Sequence, residues 1–309
     1  MVEWIEQMPA KGEVFSLTCA FLWAVSVMFF RRAGERISAF TLNFFKNAIV
    51  FVLFVPTAYF LGHLSLPELS AQKWLVLALS GVIGICLADY LFFKALNLLG
   101  AGRNAIVACS YSLFTILFAF LLLGEQPGWY HWVGAGMVIL GIVIASVGAS
   151  GGEIIGTRSQ LLKGIVSGLL AMAFTALGII LAKPLMDGDE ASVPVVQVAL
   201  IRLAAGLVGS FMVLGVAGRL GTTFGALRRD FPWGPVLAAS LVGGYLAMFI
   251  WLAGYKYATG STAGVLNQTS TLFTVALAAV FLKERLTPGK CLGTLVAFGG
   301  VTLILLLAD

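Results

Sequence analysis

The chain has 309 residues, 60% hydrophobic and only 11% charged, against roughly a quarter charged in soluble domains. That composition excludes a water-soluble fold and makes the lipid bilayer the solvent for which the sequence is built. The net charge of +5 is spread over loops instead of gathered among aromatics, which excludes a nucleic-acid surface and suits a membrane protein.

The first apolar run, near 13–30, follows Lys11 and ends at Arg31 and Arg32 with no small-residue cleavage site. It reads as an uncleaved helix, not a secretory signal, and it carries Trp23. The second run, near 38–61, holds Lys46 within NFFKNAIVF, and the third, near 74–98, holds Asp89, Tyr90 and Phe93. A charge inside a span costs a few kcal/mol on insertion scales, which makes it a functional candidate by default. Lys46 and Asp89 also admit a plainer reading, as a buried pair that neutralises itself.

The fourth run lies near 104–123 and the fifth near 129–148. Trp129, Tyr130 and Trp132, together with Trp74 and Trp233, sit at span ends and belong to interfacial belts. A linker at 149–160, containing SGGEIIGTRSQ, joins two halves, 13–148 and 161–309. The sixth run is near 161–182. The seventh, near 193–217, holds Arg202 within VALIRLAAG, and the eighth, near 233–257, holds Tyr245, Trp251 and Tyr255. Arg202 either faces a cavity or snorkels and ties helices together. Aromatic walls with a few polar anchors are what small-molecule pockets are made of. The ninth run, near 261–282, carries Asn267, Ser270, Thr271 and Thr274 at i, i+3, i+4 and i+7, one polar stripe along a helix. Such a stripe faces a wet cavity or hydrogen-bonds to another helix; the cavity is favoured because the stripe has an echo in the first half. The tenth run is near 289–308.

That echo is a repeat. YSLFTILFAFLLLGE from Tyr111 returns as STLFTVALAAVFLKE from Ser270, an offset of 159 residues, and the register holds onward to pair Gly134 with Gly293 and Gly141 with Gly300. The stripe's counterparts are Ala108, Tyr111, Ser112 and Thr115. Five spans per half is an odd number, so the second half would enter the membrane upside down relative to the first. Lys46 and Arg202 fall in corresponding helices, and the inverted arrangement would bring one cation to a central cavity from each half. Two such cations suit a carboxylate or a phosphate.

Other signals carry less. Cys19, Cys86, Cys109 and Cys291 lie inside apolar spans without metal spacing and read as small core residues. His63 and His131 are far apart, so no metal is expected, and no P-loop pattern is present to hold ATP. No cofactor is implied. Asn267-Gln268-Thr269 matches a glycosylation sequon but lies in mid-helix. Glu125 and Glu284 each end a span and are expected to cap the helix that follows, with gating as a lesser option. The glycines of the fifth and tenth spans allow close helix packing, within the chain or against a second copy in a homodimer. Lys and Arg concentrate in the loops after odd-numbered spans, the other side holding only Lys11, Lys73, Lys183 and Lys256. By the positive-inside rule both termini would lie outside the cytoplasm.

The ten-span pattern, the LFT-to-LLLGE stretch with its LFT-to-FLKE echo, and the run ADYLFFKALNLLGAG together resemble the EamA branch of the drug/metabolite transporter superfamily, over Val14 to Leu307. The resemblance implies an all-α membrane protein of ten helices, with the first four of each half around a central cavity and the fifth outside it. It also implies a basic residue in the second helix of a half, the position of Lys46 and Arg202. In the loop between the second and third spans, LGHLSLPELSAQKW carries a single Lys where many relatives carry several cations, and relatives are expected to keep both termini cytoplasmic.

The expected function is a multi-pass secondary transporter of a bacterial-type inner membrane, exporting an amino acid or a related zwitterion or anion by alternating access. Its partners would be that small-molecule substrate and the bilayer. The expected cavity residues are Trp23, Lys46, Asp89, Phe93, Tyr111, Ser112, Arg202, Tyr245, Trp251, Tyr255, Asn267, Ser270 and Thr271. A lipid or amphiphilic-phosphate flippase would use the same cations through a cavity open sideways. A multidrug cation exporter would want an acid without these bases. An enzyme lacks support, since no nucleophile near a base and no paired carboxylates occur, and a pure scaffold would leave the buried charges unexplained.

Overall fold

A computed structural model of the chain describes residues 11–124, 126, 128–147, 157–186, 193–228, 231–257 and 266–307. These residues are helical almost throughout, and no strand occurs among them. In chain order the helices are α1 (Lys11–Gly34), α2 (Ala39–Phe60), α3 (Ala71–Leu99), α4 (Ala101–Leu123) and α5 (Trp129–Val147). After the linker follow α6 (Arg158–Met186), α7 (Val195–Val216), α8 (Trp233–Ala239, running on through Ser240–Ala247 and Met248–Tyr257), α9 (Leu266–Phe281) and α10 (Pro288–Leu306). Among the described residues seven helices are long and apolar enough to cross a membrane unaided: α1 to α4 and α6 to α8. Shorter apolar helices occupy Trp129–Ala145 and Leu266–Phe281. The Gly- and Ser-rich join at 149–156 and the start of the ninth run at 261–265 lie outside the described residues.

Local chemistry sets the helix starts. The hydroxyls of Ser38, Ser70 and Thr287 accept from the backbone N–H groups of Thr41, Lys73 and Lys290, and Pro288 takes the first turn of α10, where its missing N–H costs nothing. Gly100 separates α3 from α4 with a φ of +79°, a left-handed value that a side chain would strain.

Glu284 acts differently from the expectation. Its carboxylate accepts from the N–H groups of Ala101 at 2.7 Å and Gly102 at 3.1 Å, so it caps α4, 183 residues back along the chain, and not the helix that follows it. The hydroxyl of Thr287 leaves α10 no need of a carboxylate cap. Lys290 Nζ lies 3.6 Å from Glu284 and donates to the Arg285 carbonyl at 3.0 Å. Glu125, the first-half counterpart, lies outside the described residues. At the same end of the bundle, Arg31 donates to the Asn97 carbonyl and Arg32 to the Phe281 carbonyl, each at 3.2 Å, satisfying the C-terminal carbonyls of α3 and α9. Cations counted as loop charge are thus occupied at helix ends.

Small residues fix the closest packing. A Cβ on Gly141 would lie 2.6 Å from the Gly293 carbonyl oxygen, and one on Gly300 would lie 2.6 Å from that of Gly134. The α5–α10 contact is therefore antiparallel and reciprocal in repeat register. Gly178 of α6 meets Gly84 of α3, and Ser80 Oγ donates to the Gly178 carbonyl at 2.6 Å. Cys19, Cys86 and Cys109 are buried; Cys291 is exposed on α10, not a core residue.

Candidate functional site

Two helices widen in mid-span, and α4 widens over its last turn, Ala119–Leu123. Val82–Leu87 in α3 and Ser240–Ala247 in α8 are π-helical, a widened turn that frees carbonyl groups and recurs at functional sites. The freed groups find partners on neighbouring helices. Asn43 Nδ2 donates to the Cys86 carbonyl at 2.9 Å, and Cys19 Sγ donates to the Ala247 carbonyl at 3.3 Å.

Between these widened turns lies a cavity of about 220 Å³. Gly84, Ile85, Asp89 and Phe92 of α3 face it, as do Gly243, Gly244, Met248 and Trp251 of α8, each 159 residues after its partner. Ala108 and Tyr111 of α4 are matched likewise by Asn267 and Ser270 of α9. Lys46 of α2 and Arg202 of α7, 156 residues apart, both line it. Trp23 completes the wall from α1, its ring 5.6 Å from that of Phe92.

The charges in this wall differ in their partners. Lys46 Nζ, 9% exposed as a residue, forms an ion pair with Asp89. Behind it, Lys46 Nζ also lies 5.9 Å from the Phe93 ring centroid. Removing either ion from such a pair strands the other in low dielectric. Arg202 is 4% exposed, and its Nε and Nη1 have no hydrogen-bond partner among the described residues. Beside Lys46, Asn47 Nδ2 donates to Asn43 Oδ1 at 2.8 Å, leaving Asn47 Oδ1 unbonded among the described residues.

Of the residues singled out in the sequence, Trp23, Lys46, Asp89, Tyr111, Arg202, Trp251, Asn267 and Ser270 line the cavity. Others of that set do not. Phe93 packs into the core, its ring 4.8 Å from Phe30. Ser112 donates to the Cys109 carbonyl at 2.9 Å within its own helix. The Tyr245 hydroxyl pairs with Thr57 Oγ1 at 2.5 Å, towards α2. Thr271 joins α9 to α4, donating to the Ala105 carbonyl at 3.2 Å. The side chain of Tyr255 lies outside the described residues. The polar stripe thus divides, Asn267 and Ser270 facing the cavity and Thr271 facing a helix.

Sequence reasoning missed Asn47, Thr175, Gln268 and the glycines at 84, 243 and 244, all in the cavity wall. The glycines carried a usable signal, since Gly84 and Gly243 obey the 159-residue offset. Thr175 carried none, being a lone hydroxyl in an apolar helix.

Known proteins bear on this architecture. A model of the EamA-like transporter family matches residues 10–147 and again 162–306. An uncharacterized transporter of Archaeoglobus fulgidus is 25% identical over 295 residues, covering 95% of this chain and 97% of its own. A solved crystal structure shares the fold with a TM-score of 0.67 at 18% identity, over 97% of this chain and 98% of the other. Two matches of one family model, spanning nearly the whole of a multi-pass helical membrane protein, make this chain a member of the EamA-like transporter family.

Proposed function

We propose that this transporter is a secondary carrier that moves a small polar metabolite, an amino acid or a related zwitterion or anion, across the cell's inner membrane, in the direction of export. Two inverted five-helix halves alternate access to a site between them. The observation that carries this reading is the cavity wall, in which residues at one constant offset face each other from α3 and α8 and from α4 and α9. The antiparallel contact of α5 with α10, Gly134 on Gly300 and Gly141 on Gly293, supports a twofold axis perpendicular to those helices. Cationic groups at the cavity favour anionic or zwitterionic cargo over organic cations.

The test is uptake into proteoliposomes of amino acids, organic phosphates, sugars and organic cations, by wild type and by Lys46→Ala and Arg202→Ala. Uptake of an anion or zwitterion that collapses in folded variants supports the reading. Movement of lipids or cations alone, or uptake indifferent to both substitutions, overturns it.

A further inference from the structure

The halves of the cavity are unequal in charge. In the first, Lys46 of α2 has its counter-ion, Asp89 of α3. In the second, Arg202 stands where Lys46 stands, but the residue 159 positions after Asp89 is Met248. Met248 also lines the cavity, so the place that holds a carboxylate in one half holds a thioether in the other. Among the described residues the charged side chains of the wall are Lys46, Asp89 and Arg202, two cations that share one acid, since Asp89 also acts electrostatically on Arg202, and the wall keeps one net positive charge.

Arg202 is one of the side chains that line this wall. Its guanidinium sits against Gly84, where an added methyl would come within 3.1 Å of Nη2, so a side chain at Gly84 would crowd it. Nε and Nη1 are buried and have no hydrogen-bond partner among the described residues. A buried cation with open donors needs an acceptor, and the planar guanidinium fork matches a carboxylate in two-point geometry.

We infer that Arg202 binds the carboxylate of the cargo, which takes against Arg202 the place that Asp89 takes against Lys46. This rests on the transport reading above and narrows it. One net positive charge neutralises one carboxylate, whereas a phosphate dianion or a dicarboxylate would bury a second negative charge without a partner. Trp23, Phe92, Met248 and Trp251 give the same cavity an apolar share of wall, which suits a monocarboxylate with an apolar remainder.

The experiment follows thermal unfolding of the purified full-length protein in detergent, at constant ionic strength, with four probes. L-Leucine and 4-methylpentanoate carry the carboxylate, L-leucinamide lacks it, and inorganic phosphate offers a dianion. The two carboxylates raise the unfolding temperature of wild type; the amide and phosphate do not. Met248→Asp adds a second acid to the cavity wall, cancels its net positive charge and weakens carboxylate binding by about tenfold or more, one decade of affinity. Asp89→Met combined with Met248→Asp restores the net positive charge of the wall and brings the carboxylate response back, which a merely misfolded variant does not do. The inference is overturned if the amide or phosphate shifts wild type as far as the carboxylates, if Met248→Asp responds like wild type, or if no probe shifts wild type. L-Leucine uptake into liposomes separates the two readings. Uptake that persists in Met248→Asp removes the role of Arg202 and leaves a transporter. A carboxylate response with no uptake of any class removes the transport reading and leaves the anion site.

Discussion

Glu284, at the end of α9, accepts a 2.7 Å hydrogen bond from the backbone N–H of Ala101, the first residue of α4. One carboxylate thereby closes the start of a helix in the first half from the end of a helix in the second. Hydrogen bonds to a charged group contribute about 1.5–3 kcal/mol each, and loss of the carboxylate also removes the anion 3.6 Å from the buried Lys290. Glu284→Ala is expected to destabilise the protein by about 2–4 kcal/mol, read as a lower unfolding temperature in detergent. Glu284→Gln, which keeps one acceptor, loses less; equal losses would show that the charge and the cap are irrelevant.

The α5–α10 seam has no room to spare. Gly141→Leu or Gly293→Leu forces a side chain into backbone 2.6 Å away, an overpacking that costs about 1–3 kcal/mol. Gly136, on the same helix, has open space where its Cβ would be, so Gly136→Leu is expected to be neutral. Unfolding temperatures of the three variants decide the point.

Lys46 and Asp89 should show strong energetic coupling. Lys46→Met alone leaves a carboxylate in the membrane interior and costs about 3–5 kcal/mol, whereas Lys46→Met with Asp89→Leu removes both charges and costs far less. A double-mutant cycle on unfolding free energy measures the difference; additive losses would mean that the pair is not coupled.

Asn43→Leu removes the donor that serves the widened turn of α3 and leaves the Cys86 carbonyl without its 2.9 Å partner. The expected cost is about 1–3 kcal/mol, as for any buried acceptor abandoned by its donor. Backbone hydrogen exchange at Val82–Leu87 should rise above that of the flanking turns of α3.

Thiol labelling distinguishes the cysteines. A membrane-permeant maleimide is expected to react with Cys291 and to spare Cys19, Cys86 and Cys109 until the protein unfolds.

The helices and their repeat were legible because long apolar runs and a constant offset survive in sequence. Asn267 and Ser270 were found from helical spacing, yet spacing cannot say that Thr271, one residue on, turns towards Ala105 of α4. The target of Glu284 was hidden by a separation of 183 residues, since short-range capping rules look only to the next helix. Lys46 and Arg202 looked alike because the offset comparison began at Tyr111; carried back to Asp89, it meets Met248 and breaks the likeness. Charge counting gave an orientation from cations such as Arg31 and Arg32, whose bonds to the ends of α3 and α9 make them part of the fold as well as of the loops.

The widened turns have a geometric consequence for what the cavity presents. In an α-helix residues five apart diverge by about 140°, at 3.6 residues per turn, whereas a π turn stacks i nearly over i+5. Gly84 inside the widened turn and Asp89 just beyond it both line the cavity, and so do Gly243 and Met248. Were either turn to tighten to α geometry, the acid or its thioether counterpart would swing away from the opening beside it. Each half therefore presents its cavity side chain just beyond a widened turn of its own backbone.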